Sequence, residues 1–224
     1  MKGNHAENKK RKQQNLLFLR DLEISKMYLE QNYSELNVCH NDYLGIWEVY
    51  KPENLERLKR VFADYTFKLS NYLGSYCAMI DHIIGVRNCI NNGQLKREYQ
   101  ASLRKSTLME ENKFVIDFRN FIFHKKMPIV GGGVTFLVPS TALVSGKGLI
   151  PGTKPTEIKD MSLSVKKSEL LKWDGWTPDS LKYINSIKSG IEDEIFIQPL
   201  VDELHKSLLQ FIGWFRNRIS SLDN

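Results

Sequence analysis

Long apolar runs are what this chain most plainly lacks. None of its 224 residues belongs to a stretch approaching the roughly 18–20 apolar residues a membrane helix needs, which excludes the usual helical membrane protein. Cysteine is scarce too. Cys39, Cys77 and Cys89 are odd in number and form no CxxC pair, so reduced thiols inside a cell are expected rather than a disulfide or metal role. Cys39 and His40 adjoin, but no second pair follows at zinc-ligand spacing, and no metal site is expected. Residues 1–14 are polar and basic with no apolar centre, unlike a secretory signal, and their composition does not suit a transit peptide. No internal repeat is visible. These absences together predict a soluble, cytoplasmic protein without a cofactor.

What is present is ordinary for a globular chain: 42% hydrophobic and 26% charged residues, enough to bury a core in one domain. The net charge is +6, but Lys2, Lys9, Lys10, Arg11 and Lys12 against Glu7 place +4 of it in the first twelve residues. Residues 1–14 therefore read as a disordered, solvated basic tail, with a weak RNA-attracting arm as the alternative.

From Asn15 the pattern turns helical. Leu16, Leu17, Phe18, Leu19, Leu22, Ile24, Met27 and Tyr28 are expected to fill one broad side before a break at Asn32. Residues 37–50 read as a loop with a short strand. Beyond Pro52 and Asn54, Leu55, Leu58, Phe62, Tyr65, Leu69, Leu73, Tyr76, Ile80 and Ile83–Ile84 recur at threes and fours and predict a long helix ending at Asn91-Asn92-Gly93. A second long helix is predicted from Leu95 to Met127, where Pro128 stops it. Gly131-Gly132-Gly133 precedes Val134–Val138, which is expected to form a hairpin with Ala142–Val144. No Lys-Ser/Thr follows the glycines, so they are not a phosphate loop. A further strand is expected at Met161–Val165, helix starts at Ser168 and Thr177-Pro178, and a last helix from about Pro199 with Leu200, Leu204, Leu208, Phe211, Phe215 and Leu222 inside.

One short string carries candidate chemistry: Arg119-Asn120-Phe121-Ile122-Phe123-His124. The bare spacing of Arg and His is weak, arising by chance in about two chains in three of this composition; a short polar residue after the arginine lowers that to about one in ten. At 100° per residue, Phe114, Val115, Phe118, Phe121 and Ile122 form one apolar side of the helix, and Ile116 and Phe123 lie nearly opposite. A helix apolar on two sides is expected to be buried twice, once in its bundle and once against a partner. Asn120 and His124 share one polar stripe. Arg119 falls between the apolar sides, where an unpaired cation is costly and an anion should meet it. His124 occupies the last turn, where the helix dipole favours a cation. The plainer alternative is that Arg119 and His124, like Lys125 and Lys126, are solvated residues at a helix end.

The string Arg-Asn-x-x-x-His near the end of a long helix, preceded by Phe114-Val-Ile-Asp-Phe118 and followed by Met127-Pro128, resembles the HEPN superfamily. Its hallmark is Arg, four to six residues, then His, often with Asn, Asp or His after the arginine. The helix carrying Asn71-Tyr72-Leu73 and Asp81-His82 looks like the one that pairs with the motif helix, and Phe211-Ile-Gly-Trp214-Phe215 is similar to the closing helix of some bacterial members. The resemblance covers residues 54–127 well and 165–222 loosely. It implies a mainly α, up-and-down helical bundle; the N-terminal helix and the small β-hairpin, inserted at about 129–165 of a single domain expected over residues 15–224, are elaborations that the resemblance does not match. It further implies a homodimer whose two motif copies share a cleft, and metal-independent cleavage of RNA in toxin–antitoxin or antiviral defence, with an antitoxin or regulatory protein as a further partner. Arg119 would stabilise the charged transition state, Asn120 would orient the phosphate or the histidine, and His124 would serve as acid or base. The alternative implied by the same likeness is a non-catalytic module that binds RNA or a protein.

Other residues have simpler readings beside sharper ones. Lys125, Lys126, Arg97 and Arg104, with Lys96 and Lys105, line an RNA path or a solvated face. Asp81-His82 is a supporting pair of the site or part of the core. Trp173 and Trp176, flanking Asp174-Gly175, stack on bases or anchor a loop on the bundle.

Overall fold

A computed structural model describes residues 2–44, 55–90, 92–105, 108–125, 131–137, 143–144, 148–149, 157–189 and 193–222. In chain order the elements are α1 (Lys2–Leu44), α2 (Leu55–Cys89), α3 (Gly93–Lys105), α4 (Leu108–Lys125), β1 (Gly131–Leu137), β2 (Leu143–Val144), β3 (Gly148–Leu149), β4 (Glu157–Lys166), α5 (Lys167–Leu171), α6 (Pro178–Ser186), β5 (Glu194–Phe196) and α7 (Ile197–Ser221). The described chain is mainly helical, as its periodicity predicts. No described helix is long and apolar enough to cross a membrane.

Helix α1 departs most from expectation. It begins at Lys2, so the backbone of the basic segment is helical and not a disordered tail. It also runs through Asn32 without a break. The Asn32 side-chain amide donates to the Tyr28 carbonyl one turn earlier, a local bond that lets asparagine sit inside a helix. The expected loop over residues 37–50 is therefore helix as far as Leu44, and the rest of it lies outside the described residues. Nor do the apolar residues form one side. Leu22, Leu29 and Leu36, seven apart, are buried, whereas Leu16, Leu17, Ile24, Met27, Tyr28 and Val38 are exposed. Sevenfold spacing keeps one narrow seam on a neighbouring helix, and here the neighbour is α2.

Of the expected α2 stripe, Tyr65, Leu69, Leu73, Tyr76, Ile80 and Ile83 are buried and Phe62 and Ile84 half-buried, while the side chains of Leu55 and Leu58 lie outside the described ones; Tyr72, Met79 and Val86, not among the expected residues, are buried beside them. After it, Asn92 accepts from the backbone N–H groups of Gln94 and Leu95, both at 2.9 Å, and so caps α3. The expected single helix from Leu95 to Met127 is two, α3 and α4, with 106–107 between them outside the described residues.

The β elements also correct the expected hairpin. β1 pairs antiparallel with β4, from Gly131 opposite Ser164 to Leu137 opposite Glu157, and β2 pairs with β3. A seven-residue strand makes a full ladder with ten-residue β4, whereas Leu143–Val144 offers it two residues. The three glycines lie within that ladder, opposite Ser164, Leu163 and Ser162. β5 adds to the other edge of β4 and leads into α7, whose Leu200, Leu204, Leu208, Phe211 and Phe215 are buried as expected, whereas Leu222, also expected inside, is half-buried at the helix C-cap.

Polar groups knit α1, α2 and α7 together. Buried Gln198 accepts from the Tyr65 hydroxyl at 3.0 Å and donates to Asn37 at 2.6 Å and Asp202 at 2.8 Å. Two turns beyond Gln198, the buried His205 ring stacks on Tyr33, with centroids 3.7 Å apart and planes 9° from parallel. Its Nδ1 is buried without a hydrogen-bond partner among the described residues. Burial holds the His205 pKa below its ordinary value; Glu30 and Asp202 pull it up, and Lys26 pulls it down. The fold thus favours neutral imidazole. An unfolded histidine titrates near about 6.5, so this contribution to stability is complete above that pH and is lost as pH falls through the lower folded value. Urea unfolding between pH 8 and 5.5 should show stability falling with acid, and His205→Phe, which keeps a stacked ring, should flatten the profile. An unchanged slope in that variant would refute the assignment.

Candidate functional site on helix α4

The motif helix is anchored from the side opposite its candidate chemistry. Phe114, Val115, Phe118, Phe121 and Ile122 are buried. Phe114 and Phe118 stack with centroids 5.2 Å apart, and Phe121 packs on Trp176 at 5.6 Å and Trp173 at 5.5 Å. Trp176 is pinned by its indole N–H, which donates to the Leu170 carbonyl at 2.6 Å. The Trp173 ring lies over Gly175 so closely that a Cβ there would stand 2.3 Å from it. Both tryptophans therefore anchor the loop before α6 on the bundle.

Asp117 completes the anchorage. It is buried on α4, and its Oδ2 accepts from the Thr177 backbone N–H at 2.9 Å, the Thr177 hydroxyl at 2.7 Å and the Ser180 hydroxyl at 2.6 Å. Thr177 is the N-cap of α6 with Pro178 just inside, as the sequence predicts. A carboxylate at a helix N-terminus meets both free N–H groups and the positive end of the dipole. Nothing local to Asp117 marks it, because its partners are 60 residues away.

The opposite side of α4 is open. Ile116 is 40% and Phe123 63% exposed, and Asn120 and His124 are both exposed, four residues apart on one stripe. Arg119 is half-buried between these features. Its guanidinium lies over the Phe123 ring, 5.5 Å from the centroid. Its Nε is buried with no hydrogen-bond partner among the described residues. The arginine lines a hollow of about 150 Å³ with Tyr76, Cys77, Ile80, Asp81, Asn112 and Ile116. Asp81 is the carboxylate among these lining residues, and Asn112 is held by accepting from the Tyr76 hydroxyl at 3.0 Å. Burial pushes the Cys77 thiol up in pKa, and the neighbouring Arg119 charge offsets part of that rise.

Asp81 and His82 separate. Asp81 lines the hollow, whereas His82 Nδ1 bonds the Ser25 hydroxyl on α1 at 2.7 Å. His82 belongs to the packing between helices. Arg97 and Arg104 are exposed on α3, with Lys96. Lys125 ends α4, and Lys126 lies outside the described residues.

The three cysteines are free thiols. Burial and the Asp64 carboxylate, to which Cys39 Sγ donates at 3.4 Å, push the Cys39 pKa up to about 12. Among the described residues no three His, Cys, Asp or Glu side chains gather as metal ligands.

Sequence reasoning located Arg119, Asn120 and His124 but missed Asp117, Cys77 and Asn112. Cys77 and Asp81 are one turn apart on α2, so they share a side; which side meets α4 is not written in that spacing. Comparison of the chain with family models, curated proteins and solved structures finds no match.

Proposed function

We propose that this chain is a metal-independent endoribonuclease of HEPN type, acting as a homodimer. The observation that carries the proposal is the open side of α4, where exposed Asn120 and His124 flank half-buried Arg119. Ile116 and Phe123, large apolar groups left in water beside the motif, support the dimer of this reading.

In this mechanism the ribose 2′-oxygen attacks phosphorus as its proton is taken, and the bond to the 5′-oxygen breaks as that oxygen gains a proton. The products are a 2′,3′-cyclic phosphate and a 5′-hydroxyl. His124 transfers one of these protons, and its place on the exposed stripe gives RNA access to it. Arg119 offers a planar set of donors to the charge that develops on the non-bridging oxygens. Asn120, adjacent to it, orients the phosphate. Lys125, Lys126, Arg97 and Arg104 supply sequence-independent attraction to the backbone. An antitoxin or regulatory protein would act by covering this face.

The test is incubation of the full chain with structured and unstructured RNAs in EDTA, with product ends identified chemically. Cyclic phosphate and 5′-hydroxyl ends are expected. Tight binding of several RNA classes without cleavage would replace this reading by that of a non-catalytic binding module. Phe123→Asp places a charge in the expected seam. It should convert the dimer to a monomer by light scattering and lower cleavage in parallel, while leaving helicity unchanged. A monomeric wild-type chain that cleaves RNA would overturn the dimer.

A further inference from the structure

Helix α1 carries a second apolar side that no described element covers. At about 100° per residue, Leu22, Leu29 and Leu36 share the side packed on α2, and Leu16, Leu17, Ile24, Met27, Tyr28 and Val38 fall on the opposite one. Each of these six is 45–63% exposed, in a row roughly 33 Å long. α2 and α7 hold α1 from its other sides, through Ser25–His82 and Tyr33–Asp202. The charge of α1 is divided along its length. As far as Arg20, six Lys and Arg against Glu7 give a net +5; from Asp21 to Leu44, five Asp and Glu against Lys26 give −4.

We infer that this outer stripe is a contact between two copies of the chain, with their α1 helices antiparallel. A helix basic at one end and acidic at the other complements itself only when reversed; parallel copies set like charges together. An anionic membrane would draw the basic half and repel the acidic one. The spacing supplies a register. With the two-fold axis between Met27 and Tyr28, Met27 meets Tyr28 of the second copy, Ile24 meets Gln31 and Leu17 meets Val38. The same register sets Arg20 against Glu35 and exposed Gln13 against exposed Asp42. Lys68 holds Glu35 at 2.7 Å and Asp21 lies 3.5 Å from Arg20, surface pairs that contribute little. The side chains of Glu35 and Arg20 remain 39% and 68% exposed for the contact. Six apolar groups per copy make a small interface, with Kd on the order of 10–100 μM, so it is dissociated at low micromolar concentration. It shares no residue with α4 and does not depend on the ribonuclease reading; where α4 pairs as well, the two contacts together join more than two chains.

Sedimentation velocity of the full chain carrying Phe123→Asp, from about 1 to about 500 μM, isolates the α1 contact from any pairing through α4. A monomer at the low end should become a dimer at the high end. Met27→Asp, at an exposed position, should abolish that dimer with helicity unchanged. Arg20→Glu alone and Glu35→Arg alone should each weaken it by about tenfold, since each sets like charges together in the reversed register. Their equimolar mixture should associate as the parent does, because each chain then carries the charge that the other needs. A chain that stays monomeric to about 500 μM, a dimer untouched by Met27→Asp, or a mixture that associates no better than its components would overturn the inference. Binding to phosphatidylserine vesicles that Met27→Asp removes, without self-association, would give the stripe to a membrane and overturn it too.

Discussion

His124→Ala is expected to lower RNA cleavage by about a hundred- to ten-thousand-fold, the usual contribution of a positioned acid or base. The variant is informative because His124 is exposed at the end of α4. An exposed residue in the last turn of a helix contributes about 0.3–1 kcal/mol to stability at most. A loss of activity of this size therefore cannot be laid to unfolding, and the urea midpoints of the two proteins should differ little. Arg119→Ala should lose about a hundred- to thousand-fold, as when a transition-state donor is removed. Because Arg119 is half-buried over Phe123, that variant needs its stability measured alongside. Arg119→Lys keeps the charge and loses the planar fork, and should recover only part of the rate. If His124→Ala and Arg119→Ala both cleave at the wild-type rate, the ribonuclease assignment to α4 fails.

The largest effect on stability is expected from Asp117→Ala. Three donors converge on one carboxylate oxygen, two of them from the residue that caps α6. Hydrogen bonds to a charged group contribute about 1.5–3 kcal/mol each, and they are not additive when they share an acceptor. Removing the acceptor also strands the Thr177 N–H at a helix terminus. A loss of about 3–4 kcal/mol is expected, a large share of the roughly 5–15 kcal/mol that holds a domain folded. Asp117→Asn keeps an acceptor oxygen without its charge and should lose about half as much. Equilibrium unfolding in urea measures both. A loss below about 1 kcal/mol for Asp117→Ala would mean that α4 is held on α6 by its aromatic side alone, through Phe114, Phe121 and Trp176.

What was legible beforehand had local causes. The stripes of α2 and α7 follow from spacing at threes and fours, and the start of α6 from Thr177 with Pro178 behind it. The same rules misread α1. Asparagine at position 32 is a poor helix former on average, but its amide finds a carbonyl within its own helix. The apolar residues of α1 were also counted as one side, because hydrophobicity does not say which leucine meets α2.

The Arg119–His124 helix divides in the same way. Its handed geometry, with Asn120 and His124 on one stripe and apolar residues on two sides, belongs to the sequence, because 100° per residue is a property of any α-helix. Only the tertiary structure decided which apolar side is covered in the folded chain. It also decided that Asp117 clamps the helix from a cap 60 residues later, and that Cys77 and Asp81 of α2 share a hollow with the arginine. Those contacts join segments far apart in the chain, and their energies depend on burial and direction, which no local spacing encodes.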